Sequence, residues 1–88
     1  MFKVYVLRSL KDGKLYKGMT SDLEARLKRH QSGGVPSTKF RRPLVLIHSE
    51  EFADRESARK REKFLKSGPG HKELVQLIED ASRKKNPG

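Results

Sequence analysis

The chain reads as an α+β fold of order ββαβαα, a small three-stranded antiparallel sheet flanked by helices. Three features predict it. An aromatic and β-branched start folds back at Asp12-Gly13, a continuous apolar run at residues 44–47 stands between polar segments, and three stretches repeat apolar residues at helical spacing. The first strand covers residues 2–7, with FKVYVL rich in strand-forming side chains, and residues 14–18 form its hairpin partner. Ser21 and Glu24 have the spacing of a capping box, so a helix runs from there to about Gln31 and stops at Ser32-Gly33-Gly34. VPSTKFRRP follows as a loop. Leu44, Val45, Leu46 and Ile47 have the pattern of a strand buried on both faces, central or well covered. Asp54 caps a second helix through about Ser67, Gly68-Pro69-Gly70 breaks it, and Leu74, Leu77, Ile78 and Ala81 stripe a third.

With 88 residues the chain makes one domain with a small core. Residues 1–82 form that domain, and residues 83–88 read as a basic, disordered tail. Twenty-one Lys and Arg against eleven Asp and Glu give a net charge of +10, which points to a polyanion, nucleic acid ahead of a membrane surface. No acidic residue occurs from Ala25 to Ser49. The absence of cysteine excludes disulfides, zinc–thiolate sites and cysteine nucleophiles. The apolar run at the start is short and broken by Lys3 and Arg8, and no later run has membrane-spanning length, so a cytoplasmic protein with no membrane partner is expected.

Two residues of the first helix lie where water-loving groups do not belong. At 100° per residue, with Leu23 at 0°, Leu27 falls near about 40°, His30 near about −20° and Arg26 near about −60°. Buried charge is costly without a partner, so both residues should be paired or line a cleft. In the second helix Ala58, Leu65 and Glu62 share the inward face, whereas Arg59, Lys60 and Lys63 project outward with Arg55, Arg61 and Lys66 as a basic surface. The two tyrosines, Tyr5 and Tyr16, fall on one sheet face for any even-length hairpin loop. A two-residue turn would hold them roughly 13 Å apart along the strands, and a wider loop would bring the rings closer.

These residues resemble the signature of the GIY-YIG nuclease superfamily, in particular its small stand-alone bacterial members, which are similar to the N-terminal domain of the repair excinuclease. Tyr5 in KVYVL, Tyr16 and Gly18 in YKG, Arg26 and His30 in EARLKRH, and Glu62 in ARKREKFL occupy the family's positions. The resemblance extends over roughly residues 2–78 through LYKGMTSDLEARLKRHQSGG and STKFRRPLVLIHSEEF. Lys3 replaces the first glycine of the signature, Lys17 its second isoleucine, and Met19 stands where some repair-associated relatives carry lysine.

The resemblance implies a phosphodiester hydrolase with one divalent ion, Mg²⁺ or Mn²⁺, and no small-molecule cofactor. Glu62 is then the metal ligand and Arg26 holds a phosphate oxygen as charge accumulates. Tyr16 is the candidate base, with His30 orienting the water or sharing that role, and Tyr5 positions Tyr16 and the phosphate. Around them Lys17, Thr38, Lys39, Arg41 and Arg42 are candidates to track a nucleic-acid backbone. Phe40 is placed either to stack on a base or to join the core, and structural roles are expected for His48 and His71. The expected partner is single-stranded or branched DNA in repair or processing, with RNA open. A monomer is expected, with a dimer as the route to cutting both strands. The competing readings are a binding module that keeps the fold without turnover and a basic accessory protein that docks on an acidic one.

Overall fold

The computed structural model describes residues 1–85. Strand β1 (Phe2–Ser9) and strand β2 (Leu15–Thr20) form the hairpin, α1 (Leu23–Ser32) follows, and a short 3₁₀ turn (Lys39–Arg41) leads into β3 (Leu44–Phe52). Helices α2 (Arg55–Lys66) and α3 (Gly68–Lys85) complete the chain. The sheet is antiparallel throughout with order β2-β1-β3, so the expected architecture holds while the place of one strand changes. The central strand is β1, not the apolar run of β3. Val45 and Leu46 on the β3 edge are 38% and 41% exposed, and only Leu44 of that run is buried. A bulge opposite Val6 and Leu7 drops Ile47 out of the ladder, which breaks strict alternation along this strand. An apolar run of this kind does not distinguish a covered strand from an edge strand.

Because β1 is central, both of its faces are covered and Val4, Tyr5, Val6 and Leu7 are all buried. Alternation then sends them to different cores. Val4 and Val6 pack with Ala58, Leu65 and Leu74 under α2 and α3. Tyr5 and Leu7 pack with Leu44, Tyr16, Leu23 and Leu27 under α1. Each fully buried aliphatic side chain contributes about 1.5–3 kcal/mol relative to exposure.

The caps differ from the expected pattern in detail. Asp22, not Ser21, caps α1 by accepting from the Ala25 N–H, whereas Asp54 caps α2 as expected by accepting from Ser57. Asp is as good a cap as Ser, and here the residue has the extended backbone that a cap requires. Gly68-Pro69-Gly70 is not a separate break but the first turn of α3, capped by the Ser67 hydroxyl, which accepts from the Gly70 N–H. A proline costs little in a first turn, where its missing N–H has no partner to lose. Gly70 also lets the two helices meet closely, since a Cβ there would collide with the Phe64 carbonyl. Helix α3 continues through Lys85, so Arg83, Lys84 and Lys85 are helical rather than part of a disordered tail. Residues 86–88 of that expected tail lie outside the described residues. Among the described residues no helix is long and apolar enough to cross a membrane.

Candidate active site

The hairpin loop sets the geometry. Ser9 pairs with Lys14, the Gly13 N–H donates to the Ser9 carbonyl, and a four-residue loop results, not a two-residue turn. This register places Tyr16 opposite Leu7 and Gly18 opposite Tyr5. The two tyrosine rings are then 6.3 Å apart between centroids. Gly18 explains the close approach: a Cβ on it would sit 2.5 Å from Cζ and Oη of Tyr5. The Tyr5 ring lies across the backbone of its own strand partner, a place only glycine leaves open.

Helix α1 supplies the next two groups from the inward positions expected of them. His30 is fully buried and Arg26 half-buried. Thr38 Oγ1 lies 2.8 Å from His30 Nδ1 and 3.4 Å from the Val35 carbonyl oxygen, which can only accept. Thr38 therefore donates to Val35 and accepts from His30 Nδ1–H, which leaves His30 Nε2 as an acceptor. Tyr5 Oη donates to that nitrogen at 2.9 Å and accepts from Arg26 Nε–H at 3.3 Å. The result is one directed chain, Arg26 to Tyr5 to His30 to Thr38 to Val35. Tyr16 is half-buried and lies edge-on to His30 at 5.1 Å between centroids.

The electrostatics follow from that order. Burial pushes the Tyr5 phenol above its ordinary value, although the Arg26 hydrogen bond opposes the rise. Burial, with the charges of Arg26 and Arg29, pulls His30 below its ordinary value and keeps it neutral, as the hydrogen-bond order requires. The Tyr5 hydrogen bond, aided by the nearby Tyr16, raises Arg26 further, so it remains a cation.

Glu62 comes from α2 on the other side of the sheet. Its charge nonetheless reaches the Tyr5 phenol and disfavours ionisation there. Its side chain is 20% exposed, and Lys66 Nζ lies 3.4 Å from Oε2. A half-buried carboxylate with one exposed lysine partner fits a hard divalent cation, which commonly needs only one or two carboxylates beside water and phosphate. Among the described residues no cluster of three or more His, Cys, Asp or Glu forms a closed metal cage.

The five backbone-tracking candidates separate. Thr38 is fully buried and spends its hydroxyl on His30 and Val35, so it is a support for the histidine and not a phosphate donor. Arg42 donates from Nε to the Lys39 carbonyl and from Nη1 to the Gln31 carbonyl, fastening the end of α1 to the loop. Arg41 Nε sits 3.4 Å from Asp12 Oδ2 on the hairpin loop. Lys39 is exposed, with Nζ 5.5 Å from the Phe40 ring centre, and Phe40 is itself 77% exposed and outside the core. Lys17 is half-buried on the α2–α3 side, 2.8 Å from His71 Nδ1. Arg61 also departs from the basic surface expected on α2: it makes a two-pronged pair with Glu50, at 2.8 and 3.1 Å, and a bond to Glu73. His48 joins that network through Glu50 at 2.7 Å, a structural role as expected. The support from Thr38 has no local sequence signal, since a hydroxyl in a polar loop reads the same whether it is exposed or buried.

Similarity to known proteins agrees with this geometry. The family model described as the GIY-YIG catalytic domain matches residues 1–72. A UPF0213 protein of Staphylococcus haemolyticus is 38% identical over 77 residues, 86% of this chain and 93% of the relative. One from Clostridium perfringens is 39% identical over 82 residues, 92% of this chain and 86% of the relative. The solution NMR structure of a UPF0213 protein from Bacillus halodurans shares 37% identity at a TM-score of 0.54, covering 88% of this chain and 85% of that one. With Tyr5, Tyr16, Arg26 and His30 brought together on the α1 side of the sheet and a matching family model over most of its length, the chain belongs to the GIY-YIG nuclease superfamily, among its UPF0213 proteins.

Proposed function

We propose that this protein is a metal-dependent endonuclease that hydrolyses phosphodiester bonds in single-stranded or branched DNA during repair or processing. The observation that carries this reading is how the five signature positions divide by exposure. Tyr16, Arg26 and Glu62 are half-buried and reachable, whereas Tyr5 and His30 are fully buried and hydrogen-bonded behind them. The first three are the catalytic residues, and Tyr5, His30 and Thr38 are positioning residues.

Glu62 would hold Mg²⁺ or Mn²⁺, which when bound neutralises charge on the phosphate and on the leaving oxygen. Arg26 commits Nε to Tyr5 and offers its other N–H groups to a non-bridging phosphate oxygen, where negative charge grows in the transition state. Tyr16 is the general base that accepts a proton from the attacking water. The water oxygen bonds to phosphorus, the opposite P–O ester bond breaks, and the departing oxygen takes its proton from solvent. His30 does not share the base role in this scheme, because Tyr5 and Thr38 occupy both ring nitrogens. Lys39 and the exposed Phe40 ring extend the DNA path, the ring by stacking on a base.

The test is incubation of the purified protein with labelled single-stranded, duplex and forked DNA in Mg²⁺, Mn²⁺ or EDTA, beside Glu62→Ala and Arg26→Ala. Cutting should need metal, disappear in Glu62→Ala, and fall by about 10²-fold or more in Arg26→Ala. Salt-sensitive binding without cutting by the intact protein would replace this reading with a binding module.

A further inference from the structure

Alternation along β2 points Tyr16 toward α1 and its neighbour Lys17 toward α2 and α3. On that second side Lys17 Nζ is 2.8 Å from His71 Nδ1 at the start of α3. Lys66 of α2 is near enough that its charge, after burial itself, pulls Lys17 below its ordinary value. Three basic side chains from three elements thus converge, and among the described residues no carboxylate forms an ion pair with Lys17. Lys66 is also the partner of Glu62 at 3.4 Å, so the cluster adjoins the proposed metal ligand. His71 further lines a cleft of about 490 Å³ together with the apolar Leu15, Val75 and Ile78, the basic Arg8 and Lys14, and one carboxylate, Glu79.

We propose that Lys17, Lys66 and His71 form a second phosphate site, which takes a backbone phosphate flanking the scissile one while its nucleoside enters the adjoining cleft. The proposal rests on the nucleic-acid reading above and deepens it: the substrate strand passes over the free edge of β2, with this anchor on the α2–α3 side next to Glu62. The physical need is direct. The Lys17 and Lys66 ammonium groups repel one another, and a phosphate relieves that repulsion while displacing counterions. Two other basic candidates are already engaged, because Arg41 and Arg42 are tied to Asp12 and to backbone carbonyls.

The experiment is equilibrium binding of short single-stranded oligonucleotides in EDTA, which separates binding from turnover. A neutral methylphosphonate and an abasic sugar are moved one position at a time, with intact protein and with Lys17→Gln and Lys66→Gln, both checked for unchanged melting. The intact protein should lose affinity most at one methylphosphonate position, with the abasic penalty at or next to it. Lys17→Gln should abolish that position's penalty and lower the salt slope by about one phosphate. Equal penalties at every position, or a variant that keeps the full pattern, would overturn the site. A His71 ring NMR shift saturating with inorganic phosphate, without any position-dependent penalty, would assign it to free phosphate and overturn the backbone role. Binding with the expected pattern but no cutting in metal would sink the nuclease reading alone.

Discussion

The two faces of one central strand do different work. Under α2 and α3, Val4 and Val6 meet Leu65, Leu74 and Ala58, an aliphatic core with no hydrogen bond to satisfy. Under α1, Tyr5 and Leu7 meet Tyr16, Leu23 and Leu27, and the same buried layer holds His30 and Thr38. Every polar atom buried there needs a partner, and the chain from Arg26 to the Val35 carbonyl supplies them in sequence. The lesson is that a sheet of three strands can carry an aliphatic core on one face and a buried hydrogen-bonded chain on the other, because alternation separates neighbouring residues completely.

The largest effect should come from the aliphatic face. Leu65→Ala should cost about 2–5 kcal/mol of stability, since the side chain is fully buried. Urea and thermal melts measure the loss, and the proposed cleavage rate per folded molecule should barely move. A variant that kept its melting point but lost cutting would break the separation of the two faces.

A smaller effect, on the other face, sharpens the same contrast. Thr38→Val should leave the His30 Nδ1–H buried without an acceptor, at a cost of about 1–3 kcal/mol. Cleavage should fall with it, because Tyr5 and Arg26 are aligned through that imidazole, and Thr38→Ser should restore both. If Thr38→Val cleaved normally while destabilised, the hydroxyl would matter for folding alone.

The smallest effect separates the faces by pH. His30 is held below its ordinary 6.5, so as pH falls the unfolded chain takes up this proton first. Its contribution is full above about pH 6.5 and is lost as pH drops from there toward the folded value. On the α2–α3 side burial would raise Glu50, but the Arg61 and His48 hydrogen bonds outweigh it and hold the carboxyl below its ordinary 4.5. Its stabilisation is full above about pH 4.5 and is lost as pH falls below that toward the folded value. Melting points from pH 8 to 3 should therefore decline in two windows, and His30→Gln should remove only the upper one. Persistence of the upper window in His30→Gln would exclude His30 as its source.

Much of this was legible in the order of residues alone. Inward placement of Arg26 and His30 follows from their angular distance to Leu23 and Leu27, and the half-buried Glu62 follows from Ala58 and Leu65 in the same way. Thr38 and Arg61 were not legible, since the partners that remove them from the basic surface lie eight residues and a whole element away. The exposed half of β3 was misleading because an apolar run carries no information about which strand stands beside it.

By itself, then, the amino-acid sequence determined the order of elements, the α+β class and the faces of its helices, for these depend on periodicities within one element. Only the tertiary structure decided that β1 is central, that a four-residue loop brings Tyr5 across Gly18, that Thr38 closes the hydrogen-bond chain, and that Lys17 meets His71. Those are choices of register and loop closure between distant residues, where one residue of slip turns every side chain to the opposite face.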